Sequence, residues 1–205
     1  MLSCYNIGVS SPQDEAIDIL EEVLDNFFRQ AVDLKNVLRR CAHVCEILNW
    51  SEQLAWFQNE LFGYPSDVEL PWYRKAVKGR IEWRATGGFD TVLAKVIEDE
   101  HRPKGEPTKY TEMDVWSGID WVLSASQWGY SESTGRKSSQ YISFRHQNIE
   151  TEKVKVYDKQ IFQTILTNIE NLVFNFVSKS LVAVKFGQVT ANVFRKYQDS
   201  ASAAL

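Results

Sequence analysis

The 205-residue chain is poor in the residues from which most catalytic and metal sites are built. It has three histidines, His43, His101 and His146, and three cysteines, Cys4, Cys41 and Cys45. An odd cysteine count without framework spacing argues against a disulfide-stapled secreted domain and for a reducing cytoplasm. The start, MLSCYNIGVSSPQDEA, lacks the basic region and sustained apolar stretch of a secretory signal. Long apolar runs are missing as well. Lys179, Lys185 and several asparagines interrupt residues 161–186, short of the ~18–20 uninterrupted residues that span a bilayer. Membrane association is therefore not expected.

Local catalytic motifs are also absent. Cys41, His43 and Cys45 are close in sequence, but on a helix residue 43 points nearly opposite to 41 and 45. They cannot converge on one ion, and no second pair completes four ligands; buried reduced thiols are the expectation. No arginine precedes a histidine at the spacing of HEPN ribonucleases, and there is no GxSxG nucleophile elbow. STGRKSS lacks the glycine register of a phosphate loop. The only acidic-x-lysine triplet of the kind a restriction-type nuclease uses is Asp33-Leu34-Lys35, at a helix start. Glu98 to His101 join carboxylates to an imidazole, yet consecutive charges in a loop are usually solvated. No metal, no cofactor and no catalytic residue is expected.

What the chain does have is an uneven charge. Its net of -4 conceals an acidic start, with 4 basic and 12 acidic groups in residues 1–70. Residues 71–90 carry 5 basic groups, Arg74, Lys75, Lys78, Arg80 and Arg84, against 2 acidic ones. The acidic half argues against general nucleic-acid binding. Lys78, Arg80 and Arg84 are the candidates for contact with an anion. A nucleic-acid interface built on Arg74, Lys78, Arg80 and Arg84 would weaken steeply with salt.

Hydropathy patterning predicts an α+β fold, predominantly α-helical. Ser11 is placed as N-cap with Pro12 first in the helix, and Ile17, Leu20, Leu24 and Phe27 form a stripe widened by Ala16, Val23 and Phe28. A second helix is expected from about Asp33 to Leu48, with Leu34, Leu38, Cys41, Cys45 and Leu48 on one face. Ser51 is expected to cap a third, closed by Gly63 in a left-handed conformation and by Pro65. Leu70-Pro71 then opens an extended segment. Tyr73, Val77, Ile81 and Trp83 fall on one face, and Arg74, Lys78, Arg80, Glu82 and Arg84 on the other. Gly79 marks a bulge or a close backbone approach. Residues 85–90 read as a turn, 91–100 as a strand or a short helix, and 100–114 as a loop.

VWSGIDWVLSAS reads as a short helix and GYSESTGRKSSQ as a flexible loop. YISF is a short strand at best. Residues 153 to about 185 read as one long helix, with Ile161, Ile165, Ile169, Leu172, Phe176 and Lys179 on a stripe broadened by Phe162, Leu166 and Val173. A disordered start (1–11), one domain (12–186) and a tail (187–205) complete the division. The wide stripe on the last helix raises homo-oligomerisation.

Trp56, Glu60, Leu61, Gly63 and Tyr64, then Leu70, Pro71, Tyr73, Arg74 and Gly79, resemble the signature of the AbiTii domain of prokaryotic abortive-infection and anti-phage proteins. The order of elements matches from about Pro12 to Phe186, including a glycine-isoleucine helix start at SGIDWVL; Asp120-Trp121 departs from the more acidic helix expected there. The resemblance implies a mostly helical domain with no assigned activity, acting in phage defence as an adaptor or sensor through protein–protein contact. A toxic hydrolase or nuclease is the alternative, and Asp90, Glu98, Asp99 and His101 are the residues whose change would test it. Physically, the signature reads first as structure. Gly63 ends a helix, Pro71 sets an extended entry, Tyr73 packs beneath, and Glu60 and Arg74 carry opposite charges that could meet across the turn. An aromatic-and-arginine partner-binding patch is the other reading.

Overall fold

The computed structural model describes residues 11–86, 110–142 and 147–186. Within these residues, five helices occupy Pro12–Phe28 (α1), Leu34–Ile47 (α2), Ser51–Phe62 (α3), Ile119–Trp128 (α4) and Lys159–Lys185 (α5). Four strands occupy Val77–Thr86 (β1), Tyr110–Met113 (β2), Tyr130–Ile142 (β3) and Gln147–Tyr157 (β4). Helix outweighs strand, so the α+β, predominantly helical reading holds. The chain forms two compact units. One comprises Met1–Trp72, Trp116–Trp121 and Leu166–Leu205; the other comprises Tyr73–Val115 and Val122–Ile165.

The first unit is helical. Ser11 caps α1 through a reciprocal capping box with Asp14, and Pro12 follows at the first position; that bond holds the Asp14 carboxyl below the usual range. The buried face of α1 is Ala16, Leu20 and Val23. Ile17, Leu24 and Phe27 are half-buried and Phe28 is exposed, so the core side lies toward the residues that only widened the expected stripe. Arg40 of α2 grips Glu22 of α1 with both terminal nitrogens, and the Glu22 carboxyl is lowered in consequence. Asp33 caps α2 as its sequence implies. Ser51 does not cap α3: it is the first helical residue, and the cap is Trp50, whose carbonyl accepts from Leu54 at 2.9 Å. Phe57 packs edge-on against Phe176 of α5 at 4.9 Å between ring centres.

Cys41 and Cys45 lie inside this core, reduced and separate, while His43 faces solvent between Glu15 and Glu46. Burial pushes both thiols up, Cys41 with a further push from Cys45 and Cys45 with one from Glu46. Along α5 the stripe Ile165, Ile169, Leu172 and Phe176 is buried as expected, but Lys179 is exposed. The buried line continues instead through Val177, Ser180, Ala183 and Val184.

The second unit is built on an antiparallel sheet ordered β2-β1-β4-β3. β1 pairs with β2 from Val77↔Met113 to Arg80↔Tyr110 and with β4 from Arg80↔Val156 to Thr86↔Glu150. Tyr73 and Arg74 do not extend this strand: they sit in a short 3₁₀ turn, Trp72–Arg74, and both are buried. The register runs through Gly79 without a bulge, and its close approach is to the Tyr157 ring, 2.6 Å from where a Cβ would lie.

Three expectations change in this unit. Residues 110–113, expected as loop, form β2. The Ser- and Thr-rich segment expected as a flexible loop is β3, whose only sheet neighbour among the described residues is β4, so that it stands at the edge of the described sheet. An edge needs backbone pairing more than an apolar face, and a polar edge resists pairing with other chains. The register shift between Ser133 and Lys137 falls at Gly135, whose φ is 71°. Finally, residues 147–157, whose end the helical spacing assigns to the last helix, form β4, and the helix begins at Lys159. The turn at 85–90 lies largely outside the described residues. The strand or helix at 91–100, the last two residues of YISF, the start through residue 10 and the tail after Phe186 also lie outside them.

Iodoacetamide at pH 8 is expected to leave Cys41 and Cys45 unmodified in the folded protein and to label both after unfolding in urea, as read by peptide mass spectrometry. Because folding raises their pKa, they contribute full stability below the unfolded thiol value of roughly 8.5 and lose it as pH rises beyond. Labelling of either thiol at the rate of a free cysteine would contradict this burial.

Candidate functional site

Most of the signature residues are internal, while Gly63 and Pro71 are half-buried. In the first unit, Trp56 and Phe57 lie edge to face at 4.9 Å, and both are buried with Leu61, Tyr64 and Leu70. Glu60 is 0% exposed and accepts a hydrogen bond from the Tyr64 hydroxyl one turn on. A carboxylate without water is tolerable only when donors meet it, and this hydroxyl is one such donor. α3 then stops at Gly63, whose φ of 105° a side chain rarely adopts. There the backbone turns extended and pairs with Ser117. The Tyr64 amide donates to the Trp116 carbonyl at 2.8 Å.

The approach at this crossing is close enough to require glycine on the other side too. A Cβ on Gly118 would stand 2.5 Å from the Leu61 carbonyl oxygen. Gly118 is the glycine of SGIDWVL, and α4 starts at the next residue. Asp120, which departs from the expected pattern, reaches Lys35 of α2 at 2.6 Å.

In the second unit, Arg74 is 0% exposed. Its guanidinium donates to the Val115 carbonyl at 3.3 Å, and its own carbonyl accepts from the Val115 amide at 2.9 Å. The Ala76 amide donates to Asp114 at 2.9 Å. Residues 114–118 are thus the partner of both halves of the signature, Val115 for Arg74 and Trp116 for Tyr64. Hydropathy alone places that stretch only at the head of a short helix. Glycine before isoleucine was the available signal, since a helix start needs no such small residue unless a backbone lies against it. Within its own unit, Glu60 accepts from Tyr64, and Arg74 donates to Val115.

The basic residues divide differently from expectation. Arg74 leaves the set, because it is internal. Lys78 is exposed on β1, opposite Glu112. Arg80 is bound by both Glu82 and Asp158, and these bonds, Glu82 first, hold its guanidinium charged. Arg84 is 44% exposed and only loosely held, with Ser131 at 3.4 Å and Glu82 at 4.0 Å. Arg80 and Arg84 line a pocket of about 410 Å³ with Trp128, Tyr130, Ser131, Tyr157, Asp158, Lys159 and Gln160.

A second pocket, of about 420 Å³, opens in the first unit between Pro12, Gln13, Ile47, Leu48, Trp50 and Val184. Its walls are mostly apolar. Among the described residues no three His, Cys, Asp or Glu side chains are grouped to hold a metal ion, and no helix is long and apolar enough to cross a membrane. Asp90, Glu98, Asp99 and His101 lie outside the described residues.

The family model named AbiTii matches residues 18–193, nearly the whole length described. No curated protein and no solved structure matches the chain.

If the signature is structural, Arg74→Ala is expected to lower stability by about 2–5 kcal/mol, as loss of a large buried side chain does. Lys78→Ala, on the exposed face, is expected to change it by under about 0.5 kcal/mol. Tyr64→Phe, which removes a donor to a buried carboxylate, is expected to cost about 1–3 kcal/mol. Urea titrations of the three variants read these values, and an Arg74→Ala protein as stable as the parent would refute the assignment.

Proposed function

The chain belongs to the AbiTii family, a membership that suggests a part in abortive infection against phage, and we propose that it is a non-catalytic component of such a system. It works in the cytoplasm as an adaptor or sensor, through protein–protein contact. The observation that carries this reading is where the apolar surface lies. The signature aromatics are internal, while Phe28, Phe62, Val182 and Phe186 of the first unit are exposed. A contiguous exposed apolar patch marks an interaction surface, and Val182 and Phe186, four residues apart, are the candidates for one here.

The apolar pocket of that unit supports the same reading. Trp50 lines it, and its indole N–H is buried without a hydrogen-bond partner among the described residues. The aliphatic and aromatic wall of Ile47, Leu48, Trp50 and Val184 suits an apolar side chain of a partner. Val182 and Phe186 stand one turn apart on the end of α5. They are where a second copy would pack if the protein assembles with itself.

The experiment is a pull-down of tagged protein from cells before and during infection, read by mass spectrometry. A stoichiometric protein partner is expected, and Leu48→Lys or Val182→Asp should reduce its recovery about tenfold or more while thermal unfolding stays native. Growth arrest with no partner, abolished by Asp90→Ala or His101→Ala, would overturn the reading in favour of an effector enzyme.

A further inference from the structure

The pocket of the second unit joins an exposed aromatic plane to a group of cations, and neither is used by the signature. Trp128 closes α4 and is 84% exposed, although a tryptophan normally buries most of its surface. Arg84 and Lys159 line the same pocket. Lys159 makes no ion pair among the described residues, and Arg84 is held only at long range. With Arg80, the lining carries three cations against one carboxylate, that of Asp158.

Asp158 is the residue that would ordinarily cap α5. Its carboxylate is turned to Arg80 instead, and its carbonyl accepts from the Ile161 amide at 3.1 Å. Lys159 and Gln160, which line the pocket, begin a 27-residue helix whose first amides have no hydrogen bond to the Asp158 carboxylate.

We infer that this pocket binds a small ring-bearing anion of the nucleoside-phosphate class. The phosphate is met by Arg84 and Lys159 with the first amides of α5, and the base stacks on Trp128. Volume supports one nucleotide, since about 410 Å³ lies within the range of small-molecule sites. An indole face stacks on any base, and a guanidinium fork matches phosphate oxygens. A strand of nucleic acid is disfavoured, because a groove that tracks a backbone repeats its cations and rings, and here they converge on one pocket. This surface differs from the one proposed for protein contact, and either could exist without the other.

The test is competition for N-methylanthraniloyl-ATP on the full chain, followed by fluorescence anisotropy. Unlabelled ATP is expected to displace the probe at least about tenfold better than adenosine or inorganic phosphate, since each supplies only half of the contact. Trp128→Ala and Arg84→Gln should each weaken binding about tenfold. Val182→Ala, in the other unit, should leave it unchanged. Trp128 is exposed, so its variant should melt with the parent, which separates lost binding from lost fold. Absence of probe binding at millimolar concentration, parental affinity in both pocket variants, or a single-stranded 15-mer that outcompetes ATP more than a hundredfold would each overturn the inference.

Discussion

Arg74 constrains much of the second unit. A guanidinium cannot lose its proton at any ordinary pH, so a wholly buried arginine is possible only where acceptors have been fixed in place beforehand. Val115 provides one, and the exchange is two-way, with the Val115 amide returning a bond to the Arg74 carbonyl. The 3₁₀ turn before β1 and the exit from β2 are therefore set by one pairing. The pairing of Val77 with Met113 begins two to three residues inward on each side.

The first unit solves a similar problem with glycine. α3 ends on a backbone conformation that disfavours side chains, and the opposing segment passes so near that Gly118 also has no room for a Cβ. Tyr64, immediately after the turn, sends its amide to Trp116 and its hydroxyl back to Glu60. Both arrangements explain why so many aromatic and charged residues crowd into one short stretch without forming an open cleft. Burial of such groups is costly unless each is met, and the local sequence supplies the groups that meet them.

Much of the helical fold was legible because 3.6-residue spacing and caps are local. Ser11, Pro12 and Asp14 mark the start of α1 within four residues, and the four-residue step between Cys41 and Cys45 places both thiols on the core side. What was not legible depended on partners distant in sequence. β3 has no apolar alternation, since it is held by backbone bonds to β4 at the edge of the described sheet. The Lys-Val-Lys-Val alternation at 153–156 is a period-two signal, overridden by the stronger helical stripe that begins at Ile161. Counting in twos from Arg74 puts the basic island on one face, but Arg74 lies in a turn before the strand, so that count begins too early. The pocket with Trp128 was out of reach, because its lining comes from three strands, β1, β3 and β4, and the ends of α4 and α5.

On this account the family signature serves the fold, and function falls to exposed side chains. The most direct measurement pairs phage plating efficiency with melting temperature for the same variants of Trp56, Glu60, Tyr64, Tyr73 and Arg74. Protection should fall only as far as stability falls, and low-temperature growth that restores folding should restore it. A signature variant with native melting temperature and no protection would contradict the account, and would make the buried residues the site of action.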